Sequence, residues 1–451
     1  MSGAALKKNV SHTPVAFGPP LDDSVYQTVM ALRAGKVLDA RLPGAQAGQT
    51  VPIRTRVMQT HYKPFARARL VAEARSAPAA TRAREKQLLY IHVYPSAAEV
   101  HEEYERAAEG AGLTGQSPVV LDGESTVAWS LANGPGLETV DFCFDGHQFA
   151  RFLVDNDLAS AQMDAPPLPE LVRYVPRKRA LFRYGIERRV YVKCYESERA
   201  EQAADNLALL TLSKRSRFNA PRLIAHDRRR RALVMSELPG VPLTALMDRA
   251  SPEIFARVGR ALADLHGSDL KPAGSWPRQR LVAALLKAMS DVKLALPWVN
   301  DRLQRLLDLI GERGQELSLD DPAPIHGNLF GDQILIDGDQ VGIVDWDDLG
   351  IGDPFYDVGR LFAHVIFLAR RETLLERRVA DHLGAMMDAY VEETGRAVAW
   401  DRLRWHVAVA LLMRAKISAL RMLPTGWMDD IAMAITEADR VLTGKSQWLA
   451  L

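Results

Sequence analysis

The chain repeats itself, and that repetition restricts its fold more than any single motif. Residues 61–75, HYKPFARARLVAEAR, and residues 173–185, RYVPRKRALFRYG, both run Tyr, one residue, Pro, then arginine, the sequence of two matching hairpins. LLYIHVY at 88–94 leads into the helical AAEVHEEYERAA, and VYVKCY at 190–195 leads into ERAEQAADNLALL. SPVVLDGESTVAWSLANGPGLET, from Ser117, parallels APRLIAHDRRRRALVMSELPGVPLT, from Ala220: strand, polar turn, strand, then a Gly/Pro hinge. Tyr62 and Tyr174 are 112 residues apart, His92 and Lys193 are 101 apart, and Pro118 and Pro221 are 103 apart. Offsets this similar predict an internal duplication, each copy a small antiparallel sheet with one helix after its third strand. Residues 141–175 join the copies, and the Pro-rich stretch 163–169 is the expected boundary.

The rest of the chain reads differently. From Ser251 onward the pattern is helical: Ser251 is placed to cap, Pro252 suits the first turn, and Ile254, Val258, Leu262 and Leu265 form one apolar stripe. An earlier stripe, Leu21, Val25, Val29 and Leu32, predicts a helix before the first copy. Further helices are expected at 372–394 and 400–421. At 451 residues, 47% of them apolar, the chain is long enough for two or three units with a large core. Lys plus Arg number 57 against 56 acidic residues, so no global field attracts nucleic acid or an anionic membrane. Two cysteines, Cys143 and Cys194, are too few for a disulfide framework, and no run of about 18 apolar residues occurs. A cytoplasmic protein is expected, with no nucleic-acid or membrane partner.

One strand-rich interruption, residues 324–361, breaks the helical half. Short strands at 333–336 and 342–344 flank the turn 337–339 and gather His326, Asn328 and Gln333 beside Asp345 and Asp347. Oxygen donors at Gln333, Asp345 and Asp347 suit magnesium, which takes one or two carboxylates and completes its shell with phosphate and water oxygens. Sequences such as DGD and WDD also occur as solvated turns. Arg228 to Arg231, in a turn between strands, read as solvated arginines. His92 stands alone, without the His or Cys neighbours of a metal site.

HGNLFGDQIL, followed by IVDWDD and GDPFYDVGRL, resembles the catalytic loop, metal-binding loop and next helix of the aminoglycoside phosphotransferase and choline kinase-like family. VYVKCY, LVMSELPGVPL and ALADLHGS match further family segments in the right order, over residues 171–361. The resemblance implies an α+β, two-lobed protein kinase-like fold with a duplicated N-terminal lobe and a mainly helical C-terminal lobe. It divides the chain into a tail and helix (1–50), a degenerate lobe-like repeat (51–165), a kinase-like N-lobe (166–243) and a helical C-lobe (244–451). It implies ATP and Mg as cofactors, with Lys193 at the nucleotide phosphates and the backbone of Met235, Ser236, Glu237 and Leu238 at the adenine. Asp345 and Asp347 would hold the metal with Gln333, which stands where the family has asparagine, and Asp353 and Asp357 would cap and anchor the following helix. The family catalytic loop maps onto His326, Asn328 and the nearby Asp332.

Two positions depart from the family. Asn328 replaces the catalytic aspartate, and an amide cannot act as a base near neutral pH. Asn206 falls where a glutamate usually holds the lysine, with Asp205 or Glu201 as other candidates. The expected function is an ATP-dependent phosphotransferase acting on a hydroxyl of a small molecule such as a sugar, an amino alcohol or an aminoglycoside-like compound. The alternative is a pseudokinase that binds nucleotide or ligand without transferring phosphate, with the duplicated N-lobe open to a protein partner.

Overall fold

The structure, a computed structural model, describes residues 22–35, 37–40, 51–76, 87–103, 119–120, 125–131, 138–159, 166–175, 178–185, 189–212, 217–318, 321–371 and 376–449. The expectation for the tail before residue 22 and parts of both repeat linkers lie outside these residues. Helix α1 (Ser24–Arg33) is followed by strands β1 (Val37–Ala40), β2 (Val51–Lys63), β3 (Arg67–Ser76), β4 (Gln87–Val93), β5 (Val119–Val120) and β6 (Thr126–Ser130), which form one antiparallel sheet in the order β1-β2-β3-β4-β6-β5. After helix α2 (Gly146–Asp155) come β7 (Glu170–Val175), β8 (Arg179–Tyr184), β9 (Val190–Tyr195), helix α3 (Arg199–Leu212), β10 (Leu223–Asp227) and β11 (Ala232–Ser236), in the order β7-β8-β9-β11-β10. Apart from the extra edge strand β1, the two orders coincide strand for strand, and a helix follows the third strand of each copy, at residues 97–103 in the first. The N-terminal lobe is therefore duplicated.

The two sheets stack. Val71, Tyr90, Val127 and Trp129 of the first meet Tyr174, Phe182, Val192 and Val234 of the second, with Phe149 and Phe152 of α2 completing a common core. Tyr90 and Tyr174, partners across the interface, have ring centroids 5.9 Å apart. Large aromatic rings bring much apolar area per residue, which suits a thin layer between sheets. His92, the counterpart of Lys193, lies buried here among Tyr90, Tyr94 and Trp129. The opposite face of the first sheet, with Tyr62, Leu70, Leu89 and Ile91, joins α1 and the large core of the helical half. Cys143 and Cys194 also meet in this layer as buried free thiols, and burial and the neighbouring Cys194 push the Cys143 thiol up.

Strand β12 (Val241–Pro242) leads into the helical half: α4 (Pro252–His266), β13 (Gly274–Trp276), α5 (Arg278–Ala295), α6 (Asn300–Glu316), β14 (Ala323–Ile325), β15 (Ile334–Asp337), β16 (Gln340–Ile343), β17 (Gly350–Gly352), α7 (Phe355–Arg371), α8 (Glu376–Thr394), α9 (Trp400–Arg414) and α10 (Trp427–Leu442). The hairpin β15–β16 pairs with β12, and Asn219 bridges to Gly342, so the strand leaving the second sheet is sewn to the hairpin that follows the catalytic loop. Gly240, at φ +122°, makes the turn; a Cβ there would sit 2.9 Å from the Ile336 carbonyl.

Some local expectations are corrected. Ser251 makes no side-chain cap bond to α4, leaving Pro252 to start the helix. The helix expected at 400–421 stops being α-helical at Arg414 and continues as a π-turn over Ala415–Leu420. Of the turn arginines, Arg228, Arg229 and Arg231 are exposed as expected, and Arg230 alone is half-buried, paired with Asp227 and Asp155.

Helices α4 and α8 approach closely because Gly259 has no Cβ to collide with the Met386 carbonyl. Gly259→Ala should destabilise the protein by roughly 1–3 kcal/mol, the usual cost of overpacking, seen as a lower melting temperature than that of a control, Gly311→Ala, whose added Cβ meets nothing within 4 Å.

Candidate functional site

Between the second sheet and the hairpin lies a cleft of about 410 Å³, lined by Val172, Leu181, Tyr191 and Leu207 from the sheet side and by Leu335, Val344 and Trp346 below. Its polar end is built from residues some 150 positions apart. Strand β9 points Lys193 into the cleft, and the hairpin's exit loop meets it with two aspartates: Nζ donates to Asp345 Oδ1 at 2.6 Å and to Asp347 Oδ1 at 2.5 Å. Arg179, at the start of β8, donates to Asp345 Oδ2 at 3.1 Å and to Asp347 Oδ2 at 2.6 Å. The Tyr195 hydroxyl donates to Asp347 Oδ1 at 2.8 Å. Two cations thus face two carboxylates at the bottom of a largely apolar cleft, where charge-assisted bonds are strong. Burial raises the carboxyl pKa of Asp345, but the Lys193 ammonium and Arg179 guanidinium outweigh it and hold the group far below the usual carboxylate range.

The loop carrying these aspartates is under tension. Asp345 has φ +68° and ψ +55°, a left-handed conformation that costs a residue with a Cβ on the order of 1–3 kcal/mol. Asn206 on α3 stabilises it, donating Nδ2 to the Trp346 carbonyl at 2.9 Å. Asn206 therefore holds the backbone of the loop at 345–348 and not Lys193; the lysine is oriented by Asp345 and Asp347, while Glu201 turns toward His226 and Arg228 and Asp205 is exposed. Gln333 donates Nε2 to Asp345 Oδ2 at 3.3 Å, and its Oε1 accepts from the Phe330 backbone N–H. Ligation by Gln333 would require the amide to turn over. Among the described residues no three His, Cys, Asp or Glu side chains converge as a metal cage. The oxygen donors at hand are the carboxylates of Asp345 and Asp347.

The hinge lies at the other end of the cleft. Met235, Ser236 and Leu238 line it, whereas Glu237 turns outward to Arg189. The N–H groups of Ser236 and Glu237 are spent on the carbonyls of Arg222 and Arg189.

The loop that carries His326 and Asn328 is pinned from behind. Asp353 does cap α7, accepting the Phe355 N–H at 2.9 Å, but Asp357 reaches back and accepts the N–H groups of His326 (2.6 Å) and Gly327 (3.0 Å). His326 is buried, with Nε2 3.0 Å from the Val344 carbonyl and its ring against Trp346, so it ties loop to hairpin. Asn328 is half-buried, and Arg360 on α7 donates to its Oδ1 at 2.6 Å. Because a guanidinium only donates, this bond fixes the amide: Oδ1 faces Arg360 and the NH₂ faces away. Asp332 is exposed and accepts the Thr244 hydroxyl at 2.6 Å. The motifs gave Lys193, Asp345 and Asp347. Arg179, Tyr195 and Arg360 were missed: Arg179 sits in the repeated hairpin, where one arginine among several carries no signal, and Arg360 lies three residues past Asp357 in a run read only as helix.

A family model described as "Phosphotransferase enzyme family" matches residues 178–405, just over half of the chain. Viomycin phosphotransferase of Streptomyces vinaceus is 33% identical over 143 residues, 29% of this chain and 49% of that protein, so the match spans about half the length of the relative. Among solved structures, a choline/ethanolamine kinase family protein from Mesorhizobium loti is similar at TM-score 0.47 and 19% identity, covering 67% of this chain and 97% of that one. A choline kinase from Cryptosporidium parvum gives 0.46 and 11%, covering 66% and 96%. A thermostable aminoglycoside phosphotransferase mutant, in a ternary complex with AMP-PNP and hygromycin B, gives 0.46 and 14%, covering 66% and 99%.

Burial raises the Asp357 carboxyl pKa, but hydrogen bonds from His266 and the loop N–H groups bring it below its ordinary value. A depressed carboxylate contributes stability above its unfolded pKa, near 4, and that stability is lost as pH falls through the folded value. Asp357→Asn should therefore cost roughly 1–3 kcal/mol at neutral pH, and thermal melts should show the gap to the wild type closing as the pH is lowered below about 4.

Proposed function

The chain belongs to the phosphotransferase enzyme family, and on that premise we propose that it transfers the γ-phosphoryl group of ATP to a hydroxyl of a small molecule. The observation that carries this reading is the junction of Lys193 and Arg179 with Asp345 and Asp347 at the closed end of a cleft whose other end is the hinge at Met235 to Leu238. Two carboxylates with hard oxygens suit magnesium, which usually takes only one or two protein carboxylates and leaves the rest of its shell to phosphate and water. Asp345 and Asp347 would hold it, and when bound it supplies positive charge to the phosphate oxygens. Lys193 and Arg179, which now neutralise the same carboxylates, bind and orient the phosphates. The apolar walls, from Leu181 to Leu335, receive the base.

In the transfer, a bond forms between the acceptor oxygen and the γ-phosphorus, the bond from that phosphorus to the bridging oxygen of ADP breaks, and the hydroxyl proton must leave. Asn328 cannot take it. Asp332, an exposed carboxylate four residues after Asn328 that also lines the cleft, is the group to which we assign the proton. Phosphoryl transfer through a loose transition state depends mostly on positioning and charge, so a modest base suffices. A second reading, a pseudokinase that binds nucleotide without transferring phosphate, is favoured by one observation: Arg360 clamps Asn328 in place of a free carboxylate.

Asp345→Ala should abolish magnesium-dependent AMP-PNP binding in calorimetric titration; binding that survives intact would remove the nucleotide site. Asp332→Asn should leave that binding in place and lower kcat by about 10² to 10⁴. Asn328→Asp separates the two readings by ATP turnover: a large gain supports the pseudokinase, and a loss shows that the amide is in use.

A further inference from the structure

Behind the catalytic loop two arginines are buried without an acidic partner. Arg360 is 6% exposed; besides Asn328 it bonds the Tyr356 hydroxyl at 3.0 Å, and its guanidinium lies 4.3 Å from the centre of the Phe330 ring. Arg414, the last residue of α9, is 8% exposed and lies 3.7 Å from the same ring centre. Its one hydrogen bond runs from Nη1 to the Ser418 hydroxyl, at 3.1 Å. Nε and Nη2 of Arg414 and Nε of Arg360 are buried donors with no partner. Neither arginine makes an ion pair with a described residue. Asp332, the closest acid to act on Arg414, is exposed and bound to Thr244.

This arrangement is unfavourable as a piece of scaffold. A buried charge with no counter-charge is costly, and stacking on Phe330 offsets only part of that cost. Burial and the charge of Arg360 pull the Arg414 guanidinium down to about 9, the response of a cation that lacks an anion. The surrounding polar groups point the same way. Asn328 is held with its NH₂ directed away from Arg360, as a donor, and it replaces what would otherwise be the loop's carboxylate. His364, on the same helix as Arg360, already spends Nδ1 accepting the Gly331 N–H, and burial and the two arginines hold it neutral. Three guanidinium donors, Nε of Arg360 and Nε and Nη2 of Arg414, thus stay unpaired beside those that Asn328, Tyr356 and Ser418 accept. Asn328 and Phe330, both only half-buried, give access to it from the solvent side of the loop.

We propose that Arg360 and Arg414 form a subsite for an anion, a carboxylate or phosphoryl group carried by the hydroxyl-bearing acceptor. Calling the ligand an acceptor rests on the phosphotransfer reading; the anion site itself does not. A planar guanidinium presents N–H donors in a fork that matches the two oxygens of such a group. The same pair repels a cationic acceptor, so this pocket selects against polyamines and amino alcohols and for sugar acids, hydroxy acids or sugar phosphates. Acceptor selectivity then comes from charge at the loop rather than from the shape of the helical wall.

Thermal melts of the full chain, titrated with inorganic phosphate, glycerate or glycerol, test this on the wild type, Arg414→Met and Arg414→Lys. The expected result is a saturable rise with phosphate or glycerate and none with glycerol, with half-saturation in Arg414→Met weakened roughly tenfold to a hundredfold. Whichever of the two anions saturates at lower concentration identifies the phosphoryl or the carboxylate as the recognised group. In anion-free buffer Arg414→Met should melt no lower than the wild type, because it removes an uncompensated charge; a purely structural arginine would lower it. Arg414→Lys, which keeps the charge and the fold without the fork, carries the same expectation of weakened anion binding should the methionine variant not fold. An unchanged anion response in both variants, or an equal response to glycerol, overturns the proposal. AMP-PNP with magnesium is titrated in parallel: its loss in the wild type with the anion response intact counts against the nucleotide reading alone, and its retention in Arg414→Met beside a lost anion response supports the subsite.

Discussion

Everything at the candidate site depends on one electrostatic contact, Lys193 and Arg179 against Asp345 and Asp347. It joins the duplicated sheets to the helical half at a point where neither side is self-sufficient. Without the aspartates, two cations from β8 and β9 would face an apolar cleft; without the cations, two carboxylates would sit side by side in a loop already strained at Asp345. Removing one partner of such a buried set leaves the others uncompensated, which is more costly than the set's net contribution to stability. The geometry therefore keeps the lobes in register and keeps charged groups at the cleft floor ready to change partners.

Those four residues differ in how far the sequence announces them. Lys193 ends a run of alternating strand residues, and Asp345 and Asp347 fall in a short acidic loop after a hairpin, so local pattern alone concentrates attention there. The duplication was legible for the same reason: turn residues and the order of strand and helix recur at similar offsets, although β2 and β3 are longer than their counterparts β7 and β8. Arg179 was not, because its role comes from the twist of β8 and the crossing of the hairpin beneath it. The same holds for Asn206, whose position on α3 suggested a partner for the lysine while its amide instead reaches backbone carbonyls 140 residues later. Side-chain patterns report neighbours within an element; they carry little about which backbone a buried amide will meet.

The arginines around Phe330 show this limit more sharply. Arg360 lies in an amphipathic helix and Arg414 ends a helix buried nearly all round, and in sequence each is a single arginine in a helical run. Only the crossing of α7 and α9 under the catalytic loop puts both guanidiniums on one ring. The change from α- to π-helix just after Arg414 belongs to the same local problem, since a widened turn shifts the residues that follow it relative to the loop. No spacing rule distinguishes that turn from the regular helix expected through residue 421.

The first sheet has a further mechanical consequence. It stacks on the second sheet through the aromatic layer, and its far side grips the end of the helical half: the Tyr62 N–H donates to the Arg421 carbonyl, Arg33 to the carbonyl of Met422, and Tyr26 packs on Trp427. Two bodies joined by a single strand can swing about it like a door. Here a strut spans the opening opposite the hinge at Gly240 and converts the door into a braced frame. Wide opening of the cleft must then either break the strut's footing at Arg421 or carry the whole first sheet along.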